Sequence, residues 1–342
     1  MKEHFFQLPT PFALESGEAL VGAHVAYCTW GQLNATRDNV VWVCHALTAN
    51  ADVLDWWPGL FGEGHFFDPA DWFIVCANVL GSCYGSTCPL EADPATGVGR
   101  YQDFPLLTMR DLVAAHEALR QELDLARVHT LIGGSLGGQQ ALEWAVSQPE
   151  AFGHLVVIAT SARHSAWGIA FNEAQRLAIE ADATYHEARP GGGDAGLAAA
   201  RAVALLSYRG YAAYANTQTE PDDSRLRDFR ASSYQRYQGD KLVARFDAYS
   251  YVALTRAMDS HNVGRGRGGV AAALAGVRAR TLVLGITSDV LFPLSEQLEI
   301  AQGIPGAVFG ELDSSFGHDG FLLETTKITR ALEVFYAAAL AE

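Results

Sequence analysis

The chain has 342 residues, 49% of them apolar, and carries 24 basic against 39 acidic side chains, a net charge of −15. That length can bury a deep, dry site, and the acidic balance argues against nucleic acid as the main partner, because no surplus of cations is available to displace phosphate counterions. Mean hydropathy is +0.05, aliphatic runs such as Leu155–Ala159 are far too short to span a bilayer, and Met1-Lys2-Glu3-His4 leads into no apolar signal block. A cytoplasmic protein without membrane contact is expected.

Val40–Cys44 (VVWVC) and Trp72–Ala77 (WFIVCA) are short β-branched and aromatic runs that end in loop-like segments, as strands do. Arg110–Leu123 has helical spacing, with Leu112, Ala115, Leu119 and Leu123 on one face. Val128–Ile132 predicts a strand, Gln139–Ser147 a helix and Leu155–Ala159 another strand. From Ser165 to Val270 the texture changes to Ala, Arg and Tyr at helical spacing, with breaks at Pro190–Gly193 and Glu220–Asp223. Thr281–Ile286 and Val308–Leu312 then read as strands and Thr326–Leu340 as a helix. Alternating strands and helices predict an α/β protein with a mostly parallel sheet covered on both faces. The helical stretch predicts an insertion, residues 165–270, in a core formed by 1–164 and 271–342.

The five cysteines, Cys28, Cys44, Cys76, Cys83 and Cys88, include no C-x-x-C pair. Reduced thiols are therefore expected, with no disulfide framework and no metal site; separately, no permanently bound cofactor is expected. Charge is uneven along the chain. Residues 201–280 hold 13 basic groups against 7 acidic ones. Such a patch is either a solvated or subunit-contacting face or a positive rim that attracts an anionic cosubstrate.

Gly133-Gly134-Ser135-Leu136-Gly137-Gly138 lies between a predicted strand and a predicted helix. That context is a nucleophile elbow, in which a tight turn pushes the Ser135 hydroxyl out of the sheet and sets it beside the free N–H groups of a helix N-terminus. It carries neither a Walker lysine nor a dinucleotide-binding spacing. A serine hydroxyl needs a base, and after an elbow the helpers follow in the order acid, then histidine. Asp289 follows the strand Thr281–Ile286, and His318 follows the strand Val308–Leu312. Asp313 is the rival acid, but it shares the histidine's own loop and is poorly placed to reach the imidazole. Backbone N–H groups of Leu47, in the loop after Val40–Cys44, and of Leu136 are the candidate oxyanion donors. His45 by itself reads as structural.

HALTANADV (45–53), ANVLGSCYGSTCP (77–89), GGSLGGQQALEWA (133–145), SAWGIAFNEAQRLAI (165–179), FDAYSYVALTRAMDSHNVGRGRGG (246–269) and GITSDVLFP (285–293) together resemble homoserine O-acetyltransferases, along nearly the whole chain. The resemblance implies an α/β-hydrolase fold with an eight-stranded core and a helical lid, and a homodimer joined through the lids. It also implies an acyl-CoA donor, acetyl-CoA as cosubstrate, and L-homoserine as acceptor in methionine biosynthesis. It matches Ser135 to the nucleophile, Asp289 to the acid, His318 to the base, and Arg209 and Asp319 to substrate contacts. Homoserine is a zwitterion, so a guanidinium suits its carboxylate and a carboxylate its ammonium. Ala49 and Cys88 stand where relatives usually have Gly, and Leu136 and Gln139 where Met is common, with Ala49 and Cys88 placed to line or buttress an acyl pocket. A succinyl donor, a serine acceptor and a plain esterase remain open alternatives on the same framework, and a non-catalytic binding protein is the reading from another class.

Overall fold

The computed structural model describes residues 2–339. Eight strands form one sheet: β1 (Lys2–Gln7), β2 (His24–Trp30), β3 (Val40–Cys44), β4 (Phe73–Ala77), β5 (Val128–Gly134), β6 (Phe152–Ile158), β7 (Arg280–Ile286) and β8 (Val308–Leu312). Their order across the sheet is β1-β2-β4-β3-β5-β6-β7-β8. β1 and β2 pair antiparallel at one edge, β2 is antiparallel to β4, and every later pairing is parallel.

The central strands are uniformly apolar because both faces are covered. In β3 every residue is buried, with Val40, Trp42 and Cys44 facing one core and Val41 and Val43 the other. The first core is closed by α1 (Met109–Glu122) and α2 (Leu136–Ser147), where Trp144 packs edge-on against Trp42 at 5.0 Å. The second is closed by α9 (Thr325–Ala339), whose Ile328, Leu332 and Phe335 are buried. Leu340 of the predicted last helix lies outside the described residues. Thr108 and Asp111 form a capping box that starts α1 one residue before the predicted Arg110.

Strands β1 and β2 have no counterpart in the sequence reading. β2 mixes His24, Tyr27 and Thr29 among its buried residues, so its apolar signal is diluted to that of a half-buried strand. α2 begins at Leu136 rather than Gln139, because the turn at Ser135 passes directly into the helix.

Between β6 and β7 the chain is helical: α3 (Ala166–Glu180), α4 (Asp194–Tyr208), α5 (Tyr211–Gln218), α6 (Arg230–Val243) and α7 (Ala248–Asp259). The predicted breaks at Pro190–Gly193 and Glu220–Asp223 fall before α4 and between α5 and α6. The segment leaves and returns through a single antiparallel bridge, Arg163 opposite Asn262, reinforced by His164 N–H to His261 O (2.9 Å) and Val263 N–H to Ala162 O (3.0 Å). Among the described residues, no helix is long and apolar enough to cross a membrane.

One carboxylate sits uneasily in this frame. Glu296, in the first turn of α8 (Leu294–Gly303), has a buried oxygen with no hydrogen-bond partner among the described residues. Burial pushes its carboxyl up to about 7, and the nearby Asp289 charge adds to this against a hydrogen bond from Ser165. The folded protein therefore holds a proton that the unfolded chain has released once pH exceeds the ordinary value of 4.5, and stability falls as pH rises from there to about 7. Glu296→Gln is expected to raise the unfolding temperature at pH 8 and not at pH 5, and a gain of equal size at both pH values would exclude this origin.

Candidate active site

Ser135 occupies the turn between β5 and α2 with φ +58° and ψ −125°, a left-handed conformation that a serine adopts only when its surroundings impose it. They do so by crowding. A Cβ on Gly137 would lie 2.0 Å from the Cys44 carbonyl oxygen, so only glycine lets the first turn of α2 approach the end of β3. The backbone is pinned on both sides, with Ser135 N–H donating to Ile158 O (3.0 Å) and Thr160 Oγ1 donating to Ser135 O (2.9 Å).

The turn aims Oγ at His318. Ser135 Oγ lies 2.8 Å from His318 Nε2, and His318 Nδ1 lies 2.7 Å from Asp289 Oδ2. Asp289 Oδ1 accepts Leu291 N–H (2.8 Å) and Phe292 N–H (3.0 Å), which orients Oδ2 toward the imidazole. That fixes the imidazole with its proton on Nδ1 and leaves Nε2 free to accept the serine proton. All three side chains are buried. Phe292 and Phe321 stand 5.2 and 5.3 Å from the imidazole, centroid to centroid. The loops carrying acid and histidine are tied together by Gly317 N–H to Ser288 Oγ (2.9 Å) and Ser314 N–H to Thr287 Oγ1 (3.2 Å). Asp313 is exposed, and its carboxylate meets Thr287 Oγ1 at 3.4 Å rather than the imidazole.

Leu47 and Ser135 line the same cavity, of about 580 Å³. Leu136 supplies the first N–H of α2, which a helix leaves without an internal acceptor. His45 holds the Leu47 loop rather than facing the cavity. Its Nδ1–H donates to Ala46 O (2.8 Å) and its Nε2 accepts Val79 N–H (3.0 Å). Burial lowers its pKa to about 4, so it stays neutral. Below it, Gln140 Nε2 donates to His45 O (3.1 Å) while its Oε1 accepts from His116 Nε2 (3.0 Å). Gln140 and His116 were not singled out by sequence, since each reads as an ordinary inward-facing helix position.

The opposite wall comes from the helical segment. Arg209 follows α4, and its Nε lies 2.7 Å from Asp319 Oδ2, an ion pair without an aligned N–H···O bond. Burial raises the Asp319 carboxyl, against the lowering charges of Arg209 and His318. The two substrate contacts expected from the resemblance thus face each other beside His318. They are brought there by Gly317 (φ +66°), where a Cβ would lie 2.5 Å from Gly210 N and 3.0 Å from Tyr208 O, so the Tyr208–Gly210 turn seats backbone on backbone against the histidine loop. Arg201, Lys241 and Arg245 also line the cavity. Ala49 lies on its wall, whereas Cys88 is not among the described lining residues. All five cysteines are free thiols.

The alpha/beta hydrolase fold family matches residues 39–325. The homoserine O-acetyltransferase of Cyclobacterium marinum is 47% identical over 336 residues, covering 98% of this chain and 95% of that one. The crystal structure of the homoserine O-acetyltransferase from Staphylococcus aureus is 31% identical with a TM-score of 0.81, covering 98% of this chain and 95% of that one. Esterase E22 superposes with a TM-score of 0.90 over 98% of this chain and 99% of its own at 21% identity, a likeness of fold alone. With a relative this similar along almost its entire length, the chain belongs to the homoserine O-acetyltransferase family of the alpha/beta hydrolase fold.

Proposed function

We propose that the protein transfers an acetyl group from acetyl-CoA to the side-chain hydroxyl of L-homoserine through an acyl-serine intermediate, releasing coenzyme A. The observation that carries this reading is the relay of 2.8 and 2.7 Å from Ser135 through His318 to Asp289 at the floor of a cavity whose wall holds the Arg209–Asp319 pair. His318 takes the Ser135 proton as Oγ attacks the thioester carbonyl, and the Leu47 and Leu136 N–H groups receive the oxyanion. His318 returns the proton to the departing thiolate. It then deprotonates the homoserine hydroxyl, which attacks the acyl-serine; the acyl–Oγ bond breaks and His318 returns the proton to Ser135 Oγ, while Asp289 stabilises the imidazolium formed at each stage.

Arg209 and Asp319 give this site an acceptor preference. A zwitterion can place its carboxylate on the guanidinium and its ammonium on the carboxylate, replacing one internal pair by two. Arg201 and Lys241 add positive charge where a phosphate-bearing donor would enter. Residues 165–270 act here as a lid on the core of 1–164 and 271–342. By excluding water and orienting the acceptor hydroxyl, the lid favours transfer over hydrolysis.

Intact mass spectrometry after mixing with acetyl-CoA is expected to show one acetyl adduct, absent in Ser135→Ala and discharged by homoserine but not by serine. An adduct from succinyl-CoA alone, or one discharged equally fast without homoserine, would overturn the assignment. Arg209→Lys keeps the charge but loses the planar fork, so the homoserine KM is expected to rise about tenfold or more. An unchanged KM would remove Arg209 from the acceptor site.

The same helical segment also supports a homodimer. It exposes the large apolar side chains Leu206 (63%), Tyr211 (91%), Leu226 (91%) and Tyr237 (59%), which burial against a second copy would take out of water. Sedimentation at micromolar concentration is expected to give a dimer that Tyr211→Glu weakens. A monomer for the parent protein would exclude it.

A further inference from the structure

The turn that carries the Leu47 N–H is gripped from two sides. Ala49 N–H donates to Ala46 O at 3.0 Å, closing a turn with Leu47 and Thr48 at its centre. From below, Gln140 holds the His45 carbonyl and the His45 ring holds that of Ala46. From above comes Arg245, in the short link between α6 and α7. Its Nη1 donates to Thr48 O, its Nη2 to Thr48 Oγ1 at 3.2 Å, and Nη1 also reaches Tyr84 Oη at 2.7 Å.

These are the partners of the Arg245 side chain among the described residues, and none of them is a carboxylate. The guanidinium is committed instead to a loop of the core. The guanidinium fork takes the main-chain and side-chain oxygens of one residue together, which fixes Thr48 in orientation as well as position. Its root is firm. Arg245 N–H donates to Leu242 O (2.9 Å), Phe246 is buried with its ring 5.7 Å from that of Tyr84, and Asp247 caps α7 through Ser250 N–H (2.8 Å). Thr48 and Leu47 share the centre of one turn, so the direction of the Leu47 N–H follows from the hold on Thr48.

We propose that Arg245 is a positioning residue for the oxyanion hole: it transmits the seating of the helical segment to Leu47, so that the hole is complete when that segment rests on the core. The proposal rests on the acyl-serine reading above and adds to it a coupling between lid and oxyanion donor. A hydrogen-bond donor of this kind contributes a factor of about 10²–10³ when aimed at the developing charge, and a displacement of about 1 Å forfeits much of that.

The test is rapid-mixing acylation by p-nitrophenyl acetate, which carries no phosphate, followed by transfer to homoserine. Arg245→Met is expected to slow acylation and transfer by a similar factor, about tenfold or more, because both steps pass through the same hole. The homoserine KM and the unfolding temperature are expected to stay at parent values. Arg245→Lys restores part of the rate through one retained donor, and Thr48→Val, which keeps the carbonyl bond, shows a smaller loss. Parent-like acylation of Arg245→Met by p-nitrophenyl acetate overturns the proposal. A raised acetyl-CoA KM alongside it would assign Arg245 to a donor phosphate instead. If Arg245→Met does not fold, parent-like rates in both Arg245→Lys and Thr48→Val overturn it equally. Absence of any acyl-serine in the parent protein, with either donor, is a different failure and falls on the acyl-serine reading itself.

Discussion

The site is organised around one crowded turn. Ser135 is held at a φ of +58° because the first turn of α2 is pressed against the end of β3, with the Cys44 carbonyl where a Gly137 side chain would be. Relaxing that turn would rotate Oγ away from His318 and carry the Leu136 N–H with it, since both belong to the same few backbone bonds. Strain of this size, on the order of 1–3 kcal/mol, persists because buried parallel strands on either side leave the backbone no room to relax.

Electrostatics then follow from burial. Asp289 is out of water, so its charge is satisfied by two backbone N–H groups and the imidazole rather than by solvent. His45 and His116 are buried without a carboxylate at hand, and both are driven neutral, to about 4. They act as hydrogen-bonding struts, whereas His318 keeps an acid on one nitrogen and a hydroxyl on the other. The His318 imidazole is thus set apart from these two by the groups at its two nitrogens.

The helical segment shapes the cavity from above. Its backbone meets the histidine loop at Gly210 and Gly317, and its side chains supply Arg209 and Arg245 to the cavity lining. The core thus supplies the serine, acid and histidine, and the helical segment adds the cations Arg201, Arg209, Lys241 and Arg245 to the cavity lining.

Much of this was legible in the residues alone. The parallel core could be read because strands buried on both faces must be apolar throughout, as VVWVC is. Ser135 could be read because its constraint is local, a strand, four glycines and a helix within a few positions. Asp289 and His318 came from their order after strands, and Arg209 and Asp319 from the resemblance. Strands β1 and β2 escaped because polar residues dilute their apolar signal, Lys2, Glu3, His4 and Gln7 in β1 and His24, Tyr27 and Thr29 in β2. The contacts of Gln140 and Arg245 were decided by the tertiary structure: a glutamine bonded to a carbonyl 95 positions away, and an arginine to a turn 197 positions away, leave no periodic trace. Local backbone constraint is written in neighbouring residues, but a hydrogen bond between distant ones exists only after the chain has folded them together.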